Sequence, residues 1–392
     1  MKYTRCFADR YMMEHIYHDF YFGRANEFKF WNVGQGLFYT GSLFDGKFNF
    51  VYDCGGKSSK AVKLLINEYL KTTTTIDALF ISHFHNDHIN GIEYLKHKCR
   101  IKELFIPYYS NNTNYILVQL INSMTDSDVD RLTRVWNAIN SLLLDGEIRK
   151  HVFFEDKNVY VFPKNRINND ERHRFSWKFV LSCNCEKQFI DEVSSKIDEE
   201  LKKYGIESLD EYLQTVRKID DLKKIIKSII LTVSGDQIDF NNDSLCVLHY
   251  PLSDESVFRA CEINRIIEPG FCDCDSFIPK KCHAPATLLT GDGAVLQDSN
   301  TQLEKYSDND EISTKVMQIP HHGAKEEWSK TVGNLLSNRK YCFENYVVSY
   351  GFGNNYGHPT YELIDDLAQH NIEKRLYSAT QFTTFEYTIL NR

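Results

Sequence analysis

Residues 81–92 read ISHFHNDHINGI and set three histidines and an aspartate within six positions, His83-x-His85-x-Asp87-His88. The run IDALFIS that leads into them is short and apolar, as a buried strand is. Side chains at i and i+2 of a strand share a face, so His83 and His85 emerge on one side of its end and can meet one metal ion. Asp87 and His88 fall in the turn beyond and can reach a second ion close by, the geometry of two-metal hydrolytic chemistry.

Such a centre needs a bridging carboxylate and further ligands from elsewhere in the chain. In ATLLTGDG a second apolar strand delivers Asp292 between two glycines, and in VMQIPHHGA a third delivers His321 and His322. A lone Gly-Asp-Gly is more often a turn. Three strand-end clusters in one chain point instead to one site assembled from distant segments.

Around these motifs the pattern alternates strand and helix. FKFWNV, GLFYTGSLF and KFNFVYD fill Phe28 to Asp53, with turn signals at Gly34, Gly36 and Asp45-Gly46. KAVKLLINEYL at 60–70 has helical spacing, and LFIPYY at 104–109 reads as a strand. Strands return late in the chain as SLCVLHY, ATLLTGD, STKVMQI and NYVVSY. Between them, 110–235 is expected to be a mainly helical insertion. Amphipathic helices are expected over 127–144 and 188–204, and Ser208 with Glu211 forms a capping box ahead of an apolar series from Leu213 to Ile230. The charge runs there read as solvated faces. The expected organisation is one domain in two halves, 1–109 and 236–392, with 110–235 inserted.

Composition narrows the function classes. The chain has 392 residues, 42% of them hydrophobic, which is ample for a real core. Its net charge of −8 offers no overall cationic field to draw in a polyanion. The first thirty residues are charged throughout and lack the apolar stretch of a signal peptide or membrane span, so a cytoplasmic chain without a membrane segment is expected. Eleven cysteines, an odd number, favour free thiols or metal ligands over a disulfide framework. Cys272, Cys274, Cys282 and His283 are of ligand type, and the choice there lies between a structural zinc and free thiols in a surface loop.

Taken together, the motifs Asn32-Val33-Gly34-Gln35-Gly36, Tyr52-Asp53-Cys54-Gly55, His83 to Gly91, Asn242-x-Ser244-Leu245, Leu289 to Asp292, His321-His322-Gly323 and Tyr356-Gly357-His358-Pro359 resemble the metallo-β-lactamase superfamily. The Asn-Val-Gly-Gln-Gly opening and the late Tyr-Gly-His-Pro resemble its ComEC-like metallo-hydrolase branch. The resemblance implies an α/β fold, an αββα sandwich with a helical insertion and with metals at one edge of its two sheets. It implies His83 and His85 on a first ion, Asp87, His88 and His321 on a second, and Asp292 bridging them. Asp53 would orient a metal-ligating histidine. His322, His358 and Ser244 would line the site, grip phosphate or assist the leaving group, with Asp87 orienting the nucleophile as well as ligating. The superfamily's usual third histidine on the first ion has one candidate on a clear strand, His249. Without it the first site tolerates oxygen ligands, so two divalent ions, zinc or manganese, are expected.

The function so implied is a metal-dependent hydrolase using a metal-bridged hydroxide, a phosphodiesterase or nuclease with a nucleic-acid or nucleotide substrate. The alternatives are a carbonyl-ester or lactam hydrolase, or a partner-regulated effector that uses the helical insertion as its protein-interaction module.

Overall fold

Period-two alternation builds the molecule's layers. In LCVLHYP, Leu245 and Val247 turn to one buried cluster while Leu248 and Tyr250 turn to another, so this strand is covered on both faces. The computed structural model describes residues 24–110, 113–124, 128–153, 158–162, 176–183, 187–215, 219–234, 240–252, 256–264, 280–282, 284–294, 312–329, 343–370 and 375–391. The strands are β1 (Arg24–Phe30), β2 (Phe38–Leu43), β3 (Phe48–Cys54), β4 (Thr75–Phe80), β5 (Arg100–Pro107), β6 (Arg149–Phe153), β7 (Asn158–Phe162), β8 (Trp177–Cys183) and β9 (Leu245–Pro251). They continue with β10 (Ser256–Asn264), β11 (Lys280–Cys282), β12 (Pro285–Leu289), β13 (Ser313–Gln318), β14 (Asn345–Ser349), β15 (Leu376–Ala379) and β16 (Thr383–Asn391). One sheet runs β11-β10-β16-β1-β2-β3-β4-β5-β6 and the other β15-β14-β13-β12-β9-β8-β7.

Each sheet is antiparallel in one half and parallel in the other: β3 to β6 pair in parallel, as do β12 to β15. The sheets face each other across an aromatic core, where the Phe50 and Phe179 rings meet edge-on at 5.0 Å and Phe80 stacks on Phe179 at 5.4 Å. Helices α1 (Ser59–Tyr69), α2 (Asn86–Ile89), α3 (Ile92–Lys98), α4 (Asn114–Ser123) and α5 (Val129–Leu144) follow the first strands. Val62, Ile66, Leu95, Leu132 and Trp136 of α1, α3 and α5 join the buried cluster of the first sheet. On the far side Leu363 and Leu367 of α9 (Tyr361–Gln369) pack with Leu248, Leu288, Met317 and Val348 of the second sheet. The architecture is the expected αββα sandwich.

The stretch 110–235 carries α4, α5, α6 (Lys187–Lys203), α7 (Leu209–Leu213) and α8 (Ile219–Ser234), and it is mostly helical. It also contributes β6 to the first sheet and β7 and β8 to the second. Ser208 caps α7 as its spacing predicts, accepting from the Glu211 amide at 3.3 Å, but α7 ends at Leu213 and the apolar series resumes in α8. Among the described cysteines, Cys54, Cys99 and Cys246 are free thiols and Cys183 is disulfide-bonded. Cys272, Cys274, His283 and the Cys282 side chain lie outside the described residues. Among those residues no helix is long and apolar enough to cross a membrane.

Candidate metal centre

The carboxyl ends of the two parallel halves meet at one edge of the sandwich, the place where open α/β sheets bind ligands. There β3 carries Asp53 one residue before its end, β4 leads through Ser82 to His83 and His85, and β12 leads to Asp292. From the same edge β13 leads to His321 and His322. Asp87 and His88 sit in the first turn of α2, a four-residue helix rather than an open turn.

Two glycines of the early motifs make room for this helix. A Cβ on Gly55 would lie 2.2 Å from the Asp87 carbonyl oxygen, and one on Gly36 2.3 Å from the same atom. The Leu37 amide bonds that carbonyl at 3.3 Å. The two glycine motifs therefore hold the backbone of the central aspartate.

Asp53 is fully buried and governs the histidines. Its Oδ1 accepts the Ser82 amide at 2.7 Å and its Oδ2 accepts the Ser82 hydroxyl at 2.6 Å and His88 Nδ1 at 2.7 Å. Because that hydroxyl donates to Asp53, its oxygen is left to accept from His83 Nδ1 at 2.9 Å. Both imidazoles thus carry their proton on Nδ1 and turn Nε2 toward Asp292. Ser244 adds a longer contact to His83 Nδ1, 3.5 Å, and sits behind the histidine. His322 is fixed by the same logic, donating Nδ1–H to the Ser349 carbonyl at 2.8 Å.

The outward-facing atoms converge. His88 Nε2 lies 3.0 Å from Asp292 Oδ1 and His83 Nε2 lies 3.6 Å from Asp292 Oδ2. His322 Nε2 is 3.3 Å from Asp87 Oδ2 and 3.8 Å from Asp292 Oδ1. Yet Nε2 of His83, His85, His88 and His322 and Oδ1 of Asp292 are buried with no hydrogen-bond partner, the 3.0 Å pair being close but misaligned. Ligand-type atoms crowded in a buried site are costly until a cation lies among them, in the ion-free chain the proton that the carboxylates draw onto His88. Two ligand groups result: His83, His88 and Asp292, and Asp87, His88 and His322.

These distances bring the ligand-type residues together as follows. His88 lies with His83 and Asp292, and His322 lies with Asp87 and His88. His321 Nε2 is 3.8 Å from Asp292 Oδ2, while its Nδ1 meets Glu327 at 3.0 Å. The His85 ring lies 4.4 Å from that of His83, outside both groups. His249 is far from this role. It faces the inter-sheet core, bonded to Tyr39 and Trp177, because residue 249 is inward by the register that puts Leu245 and Val247 inside.

Electrostatics follow from burial and the packed charges. Burial opposes a charge on His88, but the Asp292 and Asp53 carboxylates override it and raise its pKa well above the usual value. For Asp292, burial is outweighed by His88, His322 and His321, which hold its carboxyl well below the carboxylate range. Burial lowers His85 to about 4, and burial with the His321 and His322 charges lowers His358 to about 4. His321 resists burial through Asp292 and Glu327 and rises to about 9.

Asp53, His321 and His322 all have left-handed backbones, with φ of 54°, 45° and 56°. Such conformations cost about 1–3 kcal/mol each in residues other than glycine and gather at functional sites. Sequence reading missed Ser82, Ser349 and Glu327. The first two act through backbone or hydroxyl contacts that carry no motif, and Glu327 stands in KEEW, which reads as an exposed helix start.

The αββα sandwich with a His/Asp cluster at the shared edge of its sheets is a metallo-β-lactamase fold, and the residues of that cluster could hold divalent ions. A family model described as Anti-Pycsar protein Apyc1 matches residues 38–116, the segment holding β2 to β5 and the His83–His88 motif. A solved structure similar to the chain is the metallo-β-lactamase MIM-1 of Novosphingobium pentaromativorans. It is 9% identical, with a TM-score of 0.31, covering 87% of this chain and 80% of that one. No curated protein matches the sequence.

Proposed function

We propose that the chain is a metal-dependent phosphodiesterase acting on a nucleotide or nucleic-acid substrate in the cytoplasm. The observation that carries the metal requirement is the set of buried, partnerless ligand atoms around Asp292. His83, His88 and Asp292 would hold one ion, and Asp87 and His322 would offer ligands to a second, zinc or manganese, with the Asp292 carboxylate within reach of both; His88, whose Nδ1 proton goes to Asp53, has one lone pair and serves one ion. Ions so placed lower the pKa of a water and neutralise charge on a phosphoryl group. The protein's own part is orientation: Asp53 and Ser82 fix two imidazoles, Ser349 fixes a third, and the backbone around Gly36 and Gly55 fixes Asp87. His358, whose Nδ1 is buried without a partner, lies beside the cluster, its ring 5.5 Å from that of His321. It is placed to hold a substrate oxygen.

Two adjacent ligand groups at one sheet edge suit in-line displacement at a phosphodiester, chemistry that two-metal sites share with amide hydrolysis. The ComEC-like motif Tyr356 to Pro359 supports the same reading by bringing His358 to the rim. Net charge −8 favours a short substrate over a long polyanion. The test is manganese- and zinc-dependent cleavage of cyclic mononucleotides, single- and double-stranded DNA, RNA and a chromogenic phosphodiester. Activity is expected in the wild type and absent in Asp87→Ala. Equal turnover by wild type and His88→Ala would remove that histidine from the mechanism.

A further inference from the structure

Beside the ligand cluster the loop 351–358 carries a rigid, exposed aromatic surface. Tyr356 is 57% exposed, and its ring lies nearly parallel to that of His358, at 10° and 5.9 Å. The His358 ring in turn neighbours His321 of the metal site. One side chain, Asn354, braces the whole loop. Its Nδ2 donates to the carbonyls of Gly351 at 2.8 Å and His358 at 2.6 Å, and its Oδ1 accepts the amides of Tyr356 and His358, both at 3.1 Å. A second pair flanks it: Phe352, 55% exposed, stacks with Phe382 at 5.7 Å, and Gln381 ties Phe352 down through its amide at 2.9 Å.

A tyrosine left open to water on a backbone fixed by four hydrogen bonds presents a preformed flat face with little ordering cost on binding. Its position, one ring removed from His358 and two from His321, puts that face within a nucleotide's reach of the ligand cluster. Flat faces of this kind stack nucleobases irrespective of sequence. We propose that Tyr356 is the base-stacking platform of the substrate site, receiving the nucleobase joined to the phosphodiester that the metal centre cleaves. This rests on the phosphodiesterase reading. The edge-to-face position of Tyr350 against Phe352, at 5.5 Å and 66°, supports the second pair from beneath and leaves it to a neighbouring base or sugar.

Two esters with one leaving group test the platform on the full metal-loaded chain: thymidine 5′-(p-nitrophenyl phosphate) and methyl p-nitrophenyl phosphate. Wild type is expected to favour the nucleoside ester in kcat/KM. Tyr356→Ala is expected to shrink that preference about 5- to 150-fold, the worth of one stacked base, and Tyr356→Trp to keep it. An unchanged ratio in Tyr356→Ala overturns the proposal, as does a variant that changes its sedimentation instead of its ratio. Equilibrium binding of AMP against ribose 5-phosphate separates the two readings. If neither ester is cleaved but AMP binds more tightly through Tyr356, the platform stands and the phosphodiesterase reading fails. If the esters are cleaved and AMP has no advantage that Tyr356→Ala removes, the platform alone fails.

Discussion

Lowering the pH should destabilise this protein through a single buried imidazole in its core. His249 is fully buried, and burial depresses its pKa to about 3. Its partners explain why it must stay neutral. Trp177 Nε1 can only donate, so at 3.2 Å it occupies the His249 Nδ1 lone pair. The ring proton then sits on Nε2 and is donated to the Tyr39 oxygen at 2.9 Å, and the Tyr39 hydroxyl continues to Tyr387 at 2.5 Å and on to Thr287 at 2.6 Å. A second proton on the ring would face the indole N–H with no acceptor. The folded pKa thus lies below the unfolded value of about 6.5, so the unfolded chain binds the extra proton first. Stability is intact above pH 6.5 and is lost as pH falls toward 3. Between pH 7 and pH 5 the linkage amounts to about 2 kcal/mol. Urea unfolding of wild type and His249→Gln at both pH values, each with chelator so that the metal site contributes equally, measures it. Wild type should lose about 2 kcal/mol more than the variant over that interval. Parallel losses in the two proteins would show that His249 titrates normally and that the directed chain from Trp177 to Thr287 is wrong.

Other substitutions address the site. Ser82→Ala removes the hydroxyl that passes Asp53's control to His83 and should weaken metal binding about 10- to 100-fold in calorimetry, the usual effect of losing a group that orients a ligand. Gly55→Ala drives a methyl to 2.2 Å from the Asp87 carbonyl and should cost about 1–3 kcal/mol in denaturant unfolding, with reduced metal affinity. Excising 110–235 removes three strands from the two sheets, so circular dichroism should show an unfolded chain rather than an active enzyme stripped of a module.

How far the sequence could be read depends on where the controlling contacts lie. His83 and His85 announce their shared direction through i, i+2 spacing, and the strand ends at Asp292 and His321 announce theirs through apolar runs that stop at glycine or proline. These are local signals. The pairing of β1 with β16 links Arg24 to Asn391, and β8 joins β9 across sixty residues, so neither sheet order nor the strands hidden in 110–235 show in any window. His249 appeared as a ligand candidate because it ends a strand-like run. Only the register of β9 reveals that it faces the aromatic core. The choice between His321 and His322 was illegible for a subtler reason. Both residues leave the strand in left-handed conformations, so strand alternation does not say which of them turns inward, and it is His322 that is buried while His321 is partly exposed.

That same strain bears on what the metal does for the fold. Asp53, His321 and His322 are held in unfavourable backbone conformations, and four buried atoms of the two ligand groups lack hydrogen-bond partners, so the ion-free site opposes folding. Whatever binds there with affinity only for the native chain must return stability in proportion to its concentration, about 2.7 kcal/mol at a hundred times Kd. Zinc or manganese should therefore raise the unfolding midpoint with each tenfold increase in free ion. Asp292→Asn, which keeps the shape of the residue common to His83, His88 and His322 but removes its charge, should flatten that dependence and lower the metal stoichiometry. The two readouts check each other: a wild-type midpoint indifferent to metal, or an Asp292→Asn chain that still binds the full complement, would mean that these atoms converge for a reason other than a cation.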